Sequence, residues 1–532
     1  MKRRTFIKNT VAATTMAAAA PQMLSGMQVR ANSPYKQLSG IVDDDRILII
    51  IQMFGGNDGL NTVVPVADDY YYTLRPTLAV PKKDAWQWVP SDMYFHPALV
   101  KNQYQNGLGG LMDKGWLAVI QDIGYEDPNL SHFRSTDIWL SGINSSDPYV
   151  RLDEGWVSRY LTNALPDFPE TLPEHPLCVQ IGGTLSMLFQ SQKGDTGIAL
   201  TDPQAFFDTG NGLSPDEAML TDQTAYAEEF NYVRSIAMQS DVYSKVVLNA
   251  YKAGAAKRKV TYPTTGLGAQ MGIVSNLISG GLKSKVYLLN MGGFDTHVQQ
   301  QDADDVTKGN HPGLLSQLAN SIALFMDDAL KQGFSNRVVG LTVSEFGRRP
   351  YENGSRGTDH GSSSVQFIFG DEASIRSSRY GHAPNLKDVD KNGDIVAQHD
   401  FRRIYFDVLE NWFGASHDDA KKIMGSDFAP LGIFKKRVSS VRDVFQGRGE
   451  SAVEIYPNPS IGDSYISFEL SRPCNVQVKL YDALGKYHST LHSGWLIPGN
   501  YKFAAQNMRS GAYICYVQAG EQTIQKPFVV MQ

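Results

Sequence analysis

The chain has 532 residues, 42% of them hydrophobic and 20% charged, the balance of an ordinary globular protein with room for a large core and an accessory domain. Its formal charge of −6 comes with no polycationic stretch, which argues against nucleic acid as a partner. Three cysteines are too few for a disulfide framework; Cys474 and Cys515 could pair, or both remain buried thiols.

Residues 1–31 read as an export signal. Lys2-Arg3-Arg4-Thr5-Phe6-Ile7-Lys8 precedes a weakly apolar run from Val11 to Ala20, and Val29-Arg30-Ala31 offers a small-x-small cleavage site. Arg-Arg-x-Phe-Ile-Lys resembles the twin-arginine signal, whose substrates often cross the membrane already folded. A general secretory signal that happens to hold two arginines is the alternative, and either one exports the chain. No other stretch approaches the roughly 20 apolar residues of a membrane span.

From residue 41 to residue 436 strand and helix patterns alternate. Arg46–Val66, Leu117–Gln121, Val179–Gly182, Lys285–Met291 and Val338–Gly370 carry apolar, β-branched runs suited to buried strands, and Thr221–Gly254 and Pro312–Gly333 carry long helical patterns. This alternation predicts an α/β fold: a doubly wound, mostly parallel sheet with helices on both faces. Ligands of such sheets collect at the carboxyl ends of the strands. Asp58, Glu345, Asp359 and His360 all follow an apolar run.

Residues 437–451 are polar and without period, as a linker is, and 452–532 hold short alternating runs between turn signals, which predicts a small all-β sandwich. Tyr456-Pro457-Asn458-Pro459, then Lys479-Leu480-Tyr481-Asp482 with Gly485-Lys486, Gly511-Ala512-Tyr513-Ile514 and Lys526 together resemble the type A sorting domain of the type IX secretion system. That resemblance implies a Bacteroidetes source, passage through the periplasm to the cell surface or medium, and removal of this domain. A plain immunoglobulin-like adhesive module would show the same strand pattern.

Five clusters carry candidate chemistry. In Gly55-Gly56-Asn57-Asp58-Gly59 the glycines permit a tight turn, and Asp58 becomes either a carboxylate for a metal or a turn-shaping side chain. Ser131 sits where a helix N-cap would, before His132-Phe133-Arg134-Ser135; such a serine is ordinarily a cap, and a nucleophile only if its hydroxyl is activated. Asp295 and His297 end another strand two residues apart, and Asp359-His360 lies between Gly357 and Gly361, which would let both side chains turn toward one ion. Arg348 could clamp an anion, whereas Glu345 reads more readily as the buried partner of a cation.

This arrangement resembles the alkaline phosphatase superfamily. More closely, GGNDGLNTVVP, SHFRS with Trp139, GGFDTH, SEFGRRPYENGSRGTDHG and DFRRIYFDVLENWFG resemble the exported domain-of-unknown-function family 1501. The resemblance implies one or two divalent ions, zinc foremost, with Asp58, Asp359 and His360 around Ser131 as nucleophile and Asp295 and His297 serving a second ion. The superfamily commonly places three residues within the Asp–His pair and adds a late histidine; here only Thr296 intervenes, and His311, His382 or His399 would have to serve. One metal, or none, is therefore open.

Two further motifs fail. Asp388 to Asp394 begins like a calcium loop, but His399 stands where a bidentate glutamate belongs, and Asn392-Gly393 is a hairpin turn. The formylglycine motif of sulfatases is missing around Ser131 and Cys178. Three function classes remain: a metal-dependent hydrolase or transferase of a phosphoester or related anionic small-molecule or glycan ester, a non-catalytic surface or ligand-binding protein, and a sulfate or phosphonate ester hydrolase.

Overall fold

The computed structural model describes residues 45–89, 91–100, 104–165, 168, 172–211, 224–436, 453–470, 474–483, 486–497, 499–506, 508–519 and 522–531. The export signal and the linker lie outside them. The described residues divide into two compact units, 45–436 and 453–531.

The strands of the first unit's sheet are β1 (Ile47–Met53), β2 (Leu117–Gly124), β3 (Cys178–Ile181), β4 (Gly197–Leu200), β5 (Val286–Met291), β6 (Val338–Val343), β7 (Ser364–Gly370) and the short β8 (Arg379–Tyr380) and β9 (His399–Asp400). They form one sheet in the order β8-β2-β7-β6-β1-β5-β3-β4, with β9 also beside β2. Central β1 pairs in parallel with β5 and β6. Its Ile47, Ile49, Ile51 and Met53 enter one hydrophobic core while Leu48 and Ile50 enter another. An unbroken apolar run is thus what a strand covered on both faces requires, each buried isoleucine contributing about 1.5–3 kcal/mol.

Among the helices that frame the sheet are α1 (His132–Ser141), α2 (Ala225–Ala255), α3 (Gly266–Ser279) and α4 (Asn310–Gln332). Helices α3 and α4 fill the first core with residues such as Met271, Leu277, Leu318 and Phe325. In the second, Trp139 of α1 stacks on Phe401 with ring centroids 4.1 Å apart.

The sheet is mostly parallel, with β7 running antiparallel to β6 and β2. The physical reason is the connection. No crossover helix separates β6 from β7; the chain returns through a loop that folds on itself as a two-stranded ribbon, Gly347–Arg348 against His360–Gly361. Parallel β1, β5 and β6 release their loops at the same end, so residues 54–58, 292–297 and 344–348 emerge together.

The second unit is all β. Val453–Tyr456, Ser464–Leu470 and Gly499–Ala505 form one antiparallel sheet; Tyr487–Leu496, Cys474–Asp482, Gly511–Ala519 and Gln522–Met531 form the other, with Ser460–Ile461 on its edge in parallel. Alternate residues Ile466, Phe468, Leu470, Val476, Val478, Leu480 and Val517 make its core. Cys515 is a free, buried thiol opposite Leu480, so it forms no disulfide. Among the described residues no helix is long and apolar enough to cross a membrane.

Candidate metal centre

Two glycines bring the strand-end loops into contact. Gly55 has φ +124°, and a Cβ there would lie 2.2 Å from the Asp295 amide nitrogen. Gly357 allows its loop to pass close to the His297 carbonyl, where a Cβ would meet the carbonyl carbon at 2.3 Å. Only backbone without side chains fits at these crossings, and it sets Asp295, His297, Asp359 and His360 side by side.

The imidazoles converge on one carboxylate. His297 Nε2 lies 3.1 Å and His360 Nε2 3.2 Å from Asp295 Oδ1, and the two Nε2 atoms are 3.0 Å apart. His132 completes the set, its Nε2 being 3.5 Å from Asp295 Oδ2. Each ring is held from behind through Nδ1: His360 by the Leu130 carbonyl at 2.9 Å, His297 by Asp359 Oδ1 at 3.0 Å, and His132 by Glu345 Oε1 at 2.8 Å. These partners are acceptors, so in the neutral rings Nδ1 carries the proton and Nε2 presents its lone pair to the others.

Electrostatics sharpen the point. Burial pushes Asp295 up, but the hydrogen bond and charge of Arg348, with the imidazoles beside it, outweigh burial and hold the carboxyl at about 2. Asp359 is lowered, first by its bond from Asn353. Burial lowers His360 and raises Glu345, whose Oε2 is buried without a hydrogen-bond partner. His297 Nε2, His360 Nε2 and the ionised Asp295 carboxylate face one another at 3.0–3.2 Å, with His132 Nε2 3.5 Å from the same carboxylate, and they repel unless a proton or a cation lies among them. Nitrogen and carboxylate ligands about 2.0–2.1 Å from a zinc ion would stand roughly 3.3 Å from one another. His132, Asp295 and His360 each offer one ligand atom within 4.8 Å of the other two, with His297 beside them, so these residues could hold a divalent ion, and the outer carboxylates and carbonyl would orient the histidines.

Other residues singled out in the sequence are placed differently. Asp58 does not join this cluster: it is fully buried, and its Oδ2 accepts from Arg75 Nη1 at 2.6 Å and Gln300 Nε2 at 2.6 Å. Arg348 does not face solvent as an anion clamp would. It is buried and donates to the carbonyls of Gly55, Gly56, Phe294 and Thr358 and to Asp295 Oδ1 at 2.7 Å, so that it fixes the carboxylate instead. Buried main-chain oxygens at this loop crossing need donors, and the guanidinium fork supplies them. Ser131 is the N-cap of α1 but makes no side-chain capping bond and is exposed. It stands between Leu130, which holds His360, and His132. Of the late histidines, His311 is buried against Asn57 at 3.1 Å. The third imidazole of the cluster is His132, whose signal in the sequence was only its place after Ser131. Asp390 to Asp394 close a hairpin, as the Asn-Gly turn requires.

Phe346 packs against His132 and His360 with ring centroids 4.9 and 4.3 Å away, and half-exposed Phe54 lies 5.4 Å from His132. The cluster is thus walled by aromatic rings and open to solvent through Asp295, Asp359 and His297.

Residues 209–423 match the family described as protein of unknown function (DUF1501), and residues 454–531 match the secretion system C-terminal sorting domain. The first match contains the GGFDTH and TDHG motifs; Asp58 and His132 lie upstream of it. No curated protein matches the chain. Among solved structures, the PsFucS1 sulfatase from Pseudoalteromonas sp. is similar over 89% of this chain and 86% of its own, at 10% identity and a TM-score of 0.32. A protein in the alkaline phosphatase superfamily from Vibrio parahaemolyticus is similar over 80% and 77%, at 9% identity and a TM-score of 0.32. The phosphonate monoester hydrolase SpPMH from Silicibacter pomeroyi is similar over 91% and 88%, at 7% identity and a TM-score of 0.30.

Proposed function

We propose that this chain is an exported, metal-dependent hydrolase or transferase of anionic esters, with Asp295, His297, His360 and His132 as ligands. The observation that carries the reading is the convergence of three histidine Nε2 atoms on Asp295, each ring tied through Nδ1 to an acceptor. A bound divalent ion, zinc by this ligand set, supplies a Lewis acid for an ester oxygen. Asp359, Glu345 and the Leu130 carbonyl keep the Nδ1 protons in place, and Arg348 keeps Asp295 ionised and fixed. Ser131 is the nucleophile: its hydroxyl is exposed, is not used as a cap, and belongs to the segment whose two flanking residues touch the cluster. Export by the twin-arginine and type IX routes, in a Bacteroidetes source, is supported by the arginine pair and the sorting domain.

A second reading, a ligand-binding protein that retains this centre, has one observation in its favour: Ser131 has no hydrogen-bonded base among the described residues. Ser131→Ala separates the two. On a panel of aryl phosphate, phosphodiester, phosphonate and sulfate esters, the hydrolase reading expects turnover to fall by several orders of magnitude with metal retained. Wild-type turnover in the variant removes Ser131 from the chemistry, and no turnover by either protein favours the binding reading.

A further inference from the structure

The pairing of β7 with β2 slips within the sheet. Ser364 lies opposite Ile123 and Gln366 opposite Ile120, so one residue, Val365, faces both Gln121 and Asp122. This is a β-bulge, and Asp122 sits in it with φ +50°, a conformation few residues other than glycine adopt. The bulge breaks strand alternation, so two consecutive polar side chains, 3% and 4% exposed, line one small cavity together with Ser363 and Arg348.

The chemistry of this cavity is one-sided. The side-chain oxygen of Gln121 and the hydroxyl of Ser363 are buried without hydrogen-bond partners. Asp122 accepts from the Gln398 amide, and no ion pair to it is present among the described residues. Arg348 lines the cavity, but its Nε, Nη1 and Nη2 donate to four main-chain carbonyls and to Asp295, and no bond from it to Gln121, Asp122 or Ser363 is present among the described residues. Burial pushes the Asp122 carboxyl up to about 7 against the Gln398 bond. A buried carboxylate held by one amide lacks compensation for its charge. Water would satisfy the hydroxyl and the amide oxygen but not that charge.

We propose that this cavity binds a monovalent cation, sodium or potassium, held by the Asp122 carboxylate with the Gln121 and Ser363 side-chain oxygens. An all-oxygen set selects a hard cation. One formal negative charge balances one positive charge, whereas a divalent ion would leave excess positive charge beside Arg348. The ion would pin the bulge to the segment over it, where Gln398 N donates to the Asp122 carbonyl at 2.8 Å and His382 N to Gln398 Oε1 at 3.0 Å. The site shares no ligand with the histidine cluster and stands whether or not that cluster is catalytic.

The test is thermal melting of the full chain in sodium, potassium and choline chloride at one ionic strength, with zinc content matched. The melting temperature rises saturably with one alkali cation relative to choline. Asp122→Asn abolishes the difference, and Ser363→Ala raises the half-saturating concentration several-fold. Superimposable curves in the three salts, which would mean water alone, overturn the proposal, as does an Asp122→Asn protein that keeps the response. Should Asp122→Asn not fold, Ser363→Ala decides: an unchanged half-saturating concentration overturns the site.

Discussion

Asp58→Asn separates a structural carboxylate from a metal ligand at the position that begins the GGNDG turn. Asp58 and Arg75 are both fully buried and 2.6 Å apart, and Gln300 and the Asn61 amide also donate to the carboxylate. Asparagine keeps the shape but removes the charge that balances the guanidinium, and it sets an NH2 group among donors. Breaking one partner out of a buried ion pair costs about 3–5 kcal/mol, or about 4–6 °C in melting temperature for a unit of this size. Burial raises the Asp58 carboxyl, but the charge and hydrogen bond of Arg75 more than offset it, leaving it below the ordinary value. The folded state therefore binds the proton less readily than the unfolded chain. Its contribution is full above the unfolded value of about 3.9 and is lost as pH falls through the folded value. The stability gap between wild type and Asp58→Asn should close on acidification below about pH 4. Urea and thermal unfolding at several pH values, with zinc measured in parallel, are the assays. A variant of full stability that has lost its metal would refute the reasoning and return Asp58 to the ligands.

Asp359→Asn replaces the acceptor that orients His297, so zinc affinity should fall about 10–100-fold with little change in folding; competition against a chelator measures it, and unchanged affinity would show that His297 is held otherwise. Mass spectrometry of the surface or secreted fraction should find a mature form running from near Asn32 to near Ser451. Recovery of only full-length cytoplasmic protein would contradict export and processing.

Much of the framework was legible. The runs at Ile47–Met53, Val286–Met291 and Val338–Val343 read as buried strands because both faces of the sheet are covered. Antiparallel β7 was not legible, since an apolar run carries no direction and only the loop that returns it decides. Asp295, His297, Asp359 and His360, singled out in the sequence by their pairing along the chain, lie side by side in the structure. His132 was not singled out, because its partners Glu345 and Asp295 come from remote loops. The surroundings of Asp58 and Arg348 were not legible for the converse reason: whether a charged side chain at a strand end faces the crevice or satisfies the buried loop crossing depends on neighbours far away in sequence.

The metal content of natively purified protein tests the centre most directly. Elemental analysis should find about one divalent ion per chain, zinc in the first place, falling below ~0.1 equivalent in His360→Ala and in His297→Ala. Wild-type protein that holds less than ~0.1 equivalent and takes up none from added zinc would contradict a metal centre at Asp295, His297, His360 and His132.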